Sequence, residues 1–282
     1  MGRLVTRRIS RRMLLTDFGA AGLGVAILGA CSSDDGSSAD TQAPGTDPAT
    51  TDPAATDPPA TDAPAATEPN ATDPPATEPA DPTDVSTGLQ LQHVSFGFVS
   101  AYVLLRGNEA AVVDTGIPGE VDLIADGLSA LGASFTDVRH VVITHKHDDH
   151  QGGLGEVLAE ATGAMVYAGE ADLAEITSSV PLTAIGDGDE VLGMGVLNTP
   201  GHTPGSISLF DTETGILVAG DAVNGDEAGG LTGANPRFSD DMTAAGASIA
   251  RLAELPSTVV AFGHGGAPVD DAMAKLAALT TG

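Results

Sequence analysis

Three histidines and an aspartate lie within six residues of one another, as His145, His147, Asp149 and His150. Two imidazoles separated by one residue can both face a single metal ion from an extended or turning backbone, and Asp149 and His150 can then face a second ion. Imidazole and carboxylate donors together suit zinc, iron or manganese. The cluster therefore predicts a metal site immediately after the apolar segment 138–144.

Three more candidate ligands follow apolar segments further along the chain, and these are His202, Asp221 and His264. A glycine next to each of them lets the backbone approach an ion closely without a side-chain clash. Five of the seven histidines thus share one pattern. The other two, His93 and His140, fit no ligand position and are interpreted as ordinary strand residues.

This set of residues resembles the signature of the metallo-β-lactamase superfamily, which is His-x-His-x-Asp-His followed by a distant His, Asp and His. The resemblance extends over residues 88–282. It implies an α/β fold of the αββα type, in which two β-sheets pack face to face with helices outside. It also implies that the site lies along one edge between the sheets.

The resemblance assigns each residue a role toward two divalent metal ions, with zinc preferred and iron or manganese as alternatives. It implies that the first ion is bound by His145, His147 and His202. The second ion would be bound by Asp149, His150 and His264, and Asp221 would bridge the two ions. Asp114 matches an early aspartate that supports the site without binding metal.

The implied activity is hydrolysis of a small molecule by a metal-bridging hydroxide, which Asp149 and Asp221 would hold in line with a bound carbonyl. The scissile bond would belong to an ester, thioester, lactone or amide. Because Asp221 takes the bridging position, the ligand set resembles hydroxyacylglutathione hydrolases (glyoxalase II) and lactonases. Two alternatives stay open, namely a non-catalytic surface lipoprotein that binds metal or a ligand, and an iron-dependent sulfur dioxygenase.

Alternating strands and helices are predicted to position these residues. Period-two and short apolar patterns predict strands at residues 89–98, 101–105, 110–113, 138–144, 164–167, 191–197, 207–210, 216–219 and 258–262. Helical spacing predicts helices at residues 121–131, 154–161, 171–176, 242–255 and 269–279. The candidate ligands therefore fall at strand ends, where ligand sites usually lie.

The formal net charge of the chain is −28. Phosphate contacts need lysine or arginine to replace released counterions, so this charge excludes nucleic acid as a partner. A small-molecule substrate remains the expected partner.

The first 31 residues have the order of an export signal. Five arginines fall within residues 1–12, an apolar run follows at residues 18–30, and Leu28-Gly29-Ala30-Cys31 resembles a bacterial lipobox. Residues 10–15 resemble a twin-arginine signal. Cys31, the single cysteine, is the predicted lipidation site, and no disulfide can form within one chain. The sequence thus predicts an exported protein attached to the outer face of the cell membrane through Cys31 alone.

Residues 32–87 consist of near-repeats of Thr, Asp, Pro and Ala with almost no large apolar side chains. Such a segment cannot build a core, and its prolines and like charges favour an extended, disordered tether. From residue 88 onward the composition becomes rich in Val, Leu, Ile, Ala and Gly. Residues 88–282 are therefore predicted to form the catalytic domain.

Overall fold

The computed structural model describes residues 88–226 and 228–281. The predicted export signal, with Cys31, and the predicted tether lie outside the described residues and stay predictions. No helix in the described part is both long and apolar enough to cross a bilayer.

The first sheet has six strands in chain order: β1 (Gln90–Ser95), β2 (Ser100–Arg106), β3 (Glu109–Val113), β4 (Val138–Ile143), β5 (Met165–Gly169) and β6 (Leu182–Ile185). The first three strands are antiparallel neighbours, whereas β3 to β6 run parallel to one another. Parallel neighbours place their carboxyl ends at the same edge of a sheet. The loop after β4, which carries the histidine cluster, therefore emerges at the same edge as Asp114, which follows β3.

The second half of the chain forms two further sheets from these strands: β7 (Glu190–Val191), β8 (Met194–Asn198), β9 (Ile207–Phe210), β10 (Ile216–Val218), β11 (Val223–Gly225), β12 (Leu231–Gly233), β13 (Val259–Ala261) and β14 (Val269–Asp270). The six-stranded second sheet has the order β14-β13-β10-β9-β8-β7, and β11 pairs with β12 separately. Parallel pairing of β10 with β13 puts the loops that carry Asp221 and His264 at the same sheet edge.

Five α-helices and three 3₁₀ helices are described: α1 (Val121–Ala130), α2 (Asp148–Gln151), α3 (Leu154–Glu160), α4 (Met242–Ala253), α5 (Ala272–Leu279), and the 3₁₀ segments Phe135–Asp137, Glu170–Glu175 and Gly220–Ala222. Asp241 is the N-cap of helix α4, and its carboxylate accepts hydrogen bonds from the amides of Thr243 and Ala244. This cap satisfies two of the amides that a helix start leaves unpaired.

Apolar side chains are buried in three layers. The first sheet packs Ile124 of α1 and Leu154 of α3 against its outer face. Leu104 of β2 and Met194 of β8 belong to the layer between the two large sheets. Leu252 of α4 packs in the layer outside the second sheet. Helix, sheet, sheet and helix thus follow one another, which confirms the predicted α/β fold of the αββα type.

The helix predicted at residues 171–176 is the 3₁₀ segment Glu170–Glu175, and the strand predicted at residues 89–98 ends at Ser95. Two further predicted elements also differ from the structure. Residues 191–197 form a hairpin of β7 and β8 instead of one strand, because Leu192 and Gly193 both have positive φ angles, of 52° and 72°. Such a two-residue turn matches the twist of the strands it joins. Helix α5 begins only at Ala272, because Val269 and Asp270 pair with β13. Pairing with a neighbouring strand here overrides the local helical pattern.

One buried hydroxyl links the two large sheets beside the predicted site. Tyr102 of β2 donates to the carbonyl of Phe262 at 2.7 Å and accepts from the amide of Phe262 at 3.0 Å. Burial raises the pKa of the Tyr102 phenol above its usual value, so it stays neutral. Because Phe262 stands two residues before His264, this contact fixes where the last candidate ligand leaves β13.

Candidate metal centre

The seven candidate ligands come together at one edge of the sandwich. The segment after β4, which includes helix α2, carries four of them, and the segments after β8, β10 and β13 carry one each: His145, His147, Asp149 and His150; His202; Asp221; and His264. Both large sheets therefore contribute side chains. His93 lies on β1 and His140 on β4, and neither belongs to the three His/Asp groups that the described residues form.

The first group consists of His145, His147 and His202. The Nδ1 atom of His147 lies 2.9 Å from Nε2 of His202, and that nitrogen lies 3.2 Å from Nε2 of His145. The three ligand atoms fall within 4.8 Å of one another. Three imidazole nitrogens directed at one point have the geometry to hold a metal ion.

The second group consists of Asp149, His150 and His264. The Nε2 atoms of the two histidines are 3.4 Å apart, and Oδ2 of Asp149 lies 3.5 Å from Nε2 of His264. His150 is fully buried, whereas about a third of the His264 side chain is exposed. The group thus has one side open to solvent.

Asp221 lies between the two groups. Its Oδ1 is 3.4 Å from Nε2 of His150, and its Oδ2 lies 3.4 Å from Nε2 of His202 and 3.2 Å from Nε2 of His264. It also forms a third potential metal-holding group with His145 and His150. One carboxylate therefore faces nitrogens from both groups.

The charges at the centre are strongly coupled. Burial alone would lower the pKa of the His150 imidazole, but the carboxylates of Asp221 and Asp114 raise it to about 9. Burial alone would raise the pKa of Asp221, yet the surrounding imidazoles hold it far below its usual range. Burial lowers the pKa of His202 to about 4 and that of His145 well below 6.5. Near neutral pH, Asp221 is therefore an anion while His145 and His202 are neutral donors.

This donor set fits a pair of divalent cations. Oδ1 of Asp221 is buried and has no hydrogen-bond partner among the residues described. A buried carboxylate oxygen without a partner is costly, and a cation shared with the neighbouring imidazoles would compensate it. A Cβ atom at Gly263 would lie 1.8 Å from the same oxygen, so only glycine leaves room for it there.

Asp114 orients His150 from behind. Its Oδ2 accepts a hydrogen bond from Nδ1 of His150 at 2.8 Å, which leaves Nε2 directed at the centre. Its two oxygens also accept from the amide and the hydroxyl of Thr144, at 2.7 and 2.8 Å. Asp114 adopts a left-handed backbone conformation with φ of 59°. The structure thus places Asp114 behind the candidate ligands, in contact with His150 and Thr144.

Two further contacts orient histidines, and neither could be predicted from the sequence. The backbone carbonyl of Phe98 accepts from Nδ1 of His264 at 2.7 Å, and the hydroxyl of Ser239 lies 3.1 Å from Nδ1 of His202. In each case Nε2 is left to face the centre. A carbonyl carries no residue-specific signal, and a serine in a loop has too many other uses to be singled out.

The position of His202 depends on a close approach between its loop and helix α4. Amides of Asp240 and Asp241 donate to the carbonyls of His202 and Gly201, at 3.1 and 2.9 Å. Gly201 has φ of 133°, and a Cβ there would lie 2.2 Å from the amide nitrogen of Ala245. A larger residue at position 201 would therefore separate the loop from the helix.

A cavity of about 890 Å³ opens directly onto the centre. Asp149 and His264 line it, as do Phe98, Pro236 and Phe238. Both phenylalanines are more than half exposed. Its volume lies within the range of small-molecule sites.

Fold and centre together define an α/β protein of the double-sheet type, with a cluster of histidines and aspartates at the sheet edge that could hold metal ions. Residues 94–264 match the family model described as "Metallo-beta-lactamase superfamily", so the chain belongs to that superfamily.

Relatives and solved structures agree with this assignment. A hydroxyacylglutathione hydrolase of Methylobacillus flagellatus is 32% identical over 170 residues, which cover 58% of this chain and 60% of that protein. The metallo-beta-lactamase family protein TTHA1429 from Thermus thermophilus superposes with a TM-score of 0.53 at 26% identity, covering 68% of this chain and 78% of that one. The protein TTHA1623, solved in a di-iron-bound form, superposes with a TM-score of 0.51 at 25% identity, covering 62% of this chain and 91% of that one. The chain spans about three fifths of the length of curated relatives such as the hydrolase.

Proposed function

We propose that this chain is a binuclear metal-dependent hydrolase that cleaves an ester, thioester, lactone or amide bond. The observation that supports the proposal most is the position of Asp221 between two groups of ligand atoms, beside an open cavity. The proposed first group is His145, His147 and His202, and the proposed second group is Asp149, His150 and His264. The relatives named as hydroxyacylglutathione hydrolases support the reaction class.

When bound, a pair of divalent ions lowers the pKa of water and polarises a carbonyl, so that a nucleophile is available near neutral pH. The protein side chains would supply position and proton handling. Asp149 faces the cavity and is partly exposed, so its carboxylate is placed to orient a water molecule near the substrate. Asp221 is buried and anionic, so it would orient that water and balance positive charge.

The cavity favours an uncharged substrate with an apolar acyl group. Among the described residues that line it, none is lysine or arginine. Arg237 is adjacent in sequence to the wall residues Pro236 and Phe238, and its guanidinium lies 5.3 Å from the centroid of the Phe238 ring. A substrate carboxylate inside the cavity would therefore meet Asp148 and Asp149 without a cationic side chain to pair with. This disfavours glutathione thioesters and β-lactams relative to neutral esters and lactones.

A substrate panel tests this proposal with the purified full chain at known metal content. We expect hydrolysis of uncharged esters and lactones, with kcat/KM rising by up to roughly fourfold per added acyl methylene until the cavity is filled. Anionic S-acylglutathione and β-lactam substrates should react more slowly. The variant Phe238→Ala should flatten the chain-length dependence, because it removes an apolar wall.

Chelation provides the control, since the chelated protein should be inactive and should recover when metal is returned. Bound metal without turnover of any substrate class would instead identify a binding protein. Oxygen consumption with a persulfide, in the absence of hydrolysis, would identify a sulfur dioxygenase. Preferential hydrolysis of S-acylglutathione would contradict the proposed charge selection.

We also propose that the enzyme is attached to the outer face of the cell membrane through a lipid on Cys31, which rests on the sequence alone. We expect the wild-type chain, expressed in a bacterial host, to partition into detergent, and Cys31→Ala to remain in the aqueous phase. Ser32→Ala is the matched control, because it changes the neighbouring residue and keeps the thiol. Equal partitioning of all three forms would rule out lipidation at Cys31.

A further inference from the structure

Asp172 is a completely buried carboxylate close in the fold to the first ligand group. It belongs to the 3₁₀ segment Glu170–Glu175, which follows β5, and none of its surface is exposed. It is not part of the histidine motif or of the three His/Asp groups that the described residues form. A buried carboxylate outside the ligand set requires an explanation, since burying a charge is costly.

The contacts of Asp172 go to both loops that carry the first ligand group. Its Oδ2 accepts from the amide of Lys146 at 3.0 Å and from the hydroxyl of Thr203 at 2.5 Å, and its Oδ1 accepts from the amide of Gly205 at 2.8 Å. Lys146 stands between His145 and His147, and Thr203 follows His202. One carboxylate therefore connects the loop of two candidate ligands to the loop of the third.

Two glycines make this connection sterically possible. A Cβ atom at Gly205 would lie 2.5 Å from Cγ of Asp172, and a Cβ at Gly169 would lie 2.0 Å from the carbonyl oxygen of Gly205. Neither distance is compatible with a side chain, so the loop after β8 packs directly against the chain that follows β5. The distance between Asp172 and the His202 loop is therefore set by backbone packing.

Among the residues that the structure describes, no cationic side chain forms an ion pair with Asp172. The Lys146 ammonium is 2.6 Å from Oε1 of Glu175, and the donors that Asp172 accepts from are two amides and a hydroxyl. Neutral donors compensate a buried anion only in part, and a divalent cation held by the adjoining loops would stabilise it further. The carboxylate would in return favour the bound cation.

We propose that Asp172 is a positioning residue for the ion held by His145, His147 and His202, acting through the Lys146 amide and the Thr203 hydroxyl. This inference rests on the proposed function, because it assigns a role toward one of the two proposed ions. Asparagine at position 172 would keep one acceptor oxygen but replace the other by an NH₂ group. At least one present donor would then lose its acceptor.

Titration of the metal-free full chain with Co²⁺, followed by its visible absorption, tests the role without an activity assay. We expect Asp172→Asn to weaken binding of one of the two ions about 10- to 100-fold and to change that ion's absorption bands. The other ion should bind as in wild type. The binding step that Asp172→Asn weakens should be the same step that His147→Ala weakens. The variant Asp149→Ala should weaken the other binding step.

Two control variants separate positioning from general destabilisation. Glu175→Gln alters the same 3₁₀ segment at an exposed side chain that pairs only with Lys146, and its Co²⁺ isotherm should be unchanged. Leu276→Ala creates a cavity under α5 and lowers the unfolding temperature, and its isotherm should also match wild type. If Asp172→Asn does not fold, Thr203→Val takes its place, because it removes one hydrogen-bond donor to the Asp172 carboxylate. Thr203→Val should weaken Co²⁺ binding severalfold at the same binding step.

The possible outcomes separate this inference from the proposed function. Wild-type binding of two Co²⁺ ions with an unchanged isotherm in Asp172→Asn would overturn the positioning role and leave the hydrolase proposal in place. Equal weakening of both steps would also overturn it, since the contacts lead to one group only. A wild-type chain that binds no Co²⁺ would overturn the proposed function and this inference together.

Discussion

Replacement of Asp221 by asparagine is expected to lower turnover of any accepted substrate at least about a thousandfold. Asp221 faces nitrogens from both candidate ligand groups, at 3.2 to 3.4 Å, and it is a buried anion between them. Asparagine has almost the same volume but carries no charge, and one of its two polar atoms is a donor. The variant should therefore keep the fold, lose one or both ions, and lose the anion that would balance them.

Metal content and kcat/KM, measured on the same preparations, check this expectation. Asp189→Asn is the matched control, because it makes the same chemical change at an exposed aspartate outside the centre. The control should keep the metal and the activity of the wild type. An Asp221→Asn protein that is folded, contains two ions and reacts at the wild-type rate would show that Asp221 does not bridge the centre.

The substitution His147→Ala should weaken the binding of one ion by more than about 100-fold, because loss of a ligand reduces metal affinity more than loss of a residue that only supports a ligand. His147 contributes Nδ1, which lies 2.9 Å from Nε2 of His202. It is partly exposed, whereas His145 is buried, so truncation of His147 disturbs packing least among the first group. Turnover should fall with occupancy and should recover in part at high metal concentration.

The measurement is kcat/KM as a function of free metal concentration, because weaker binding shifts this curve and a misfolded protein does not recover. His140→Ala is the matched control, since His140 is a strand histidine outside the ligand groups. Its curve should coincide with that of the wild type. If His147→Ala gave the same curve as the wild type, His147 would not bind an ion, and the first group would lack its third ligand.

The sequence predicted much of the fold because its local patterns agree with the tertiary packing. The apolar run of β4 leads directly into the histidine cluster, and its end was predicted to within one residue. Errors arose where one part of the chain depends on a distant part. Helix α5 starts later than predicted because Val269 and Asp270 pair with β13, and a one-dimensional pattern contains no information about that partner.

The candidate ligands could be selected from sequence because metal chemistry restricts residue type strongly. Few residues other than His, Cys, Asp and Glu bind such ions, and here they occur in a compact motif and beside glycines. Residues that hold the ligands in place are less restricted in type, because many side chains and backbone groups can form the necessary hydrogen bonds. Asp172 meets Lys146 and Thr203 only because β5 and the loop after β8 lie next to each other in space, and nothing in its own neighbourhood indicates that role.

The sequence by itself determined which side chains are chemically able to hold ions, since that depends on residue type and short spacing. Only the tertiary structure decided how they are arranged: Asp221 between two groups, Asp114 and the Phe98 carbonyl behind the histidines, and apolar walls around the cavity. The reason is physical. Donor identity is a property of one residue, whereas distances, burial and pKa shifts arise from groups that the fold brings together from far apart in the chain.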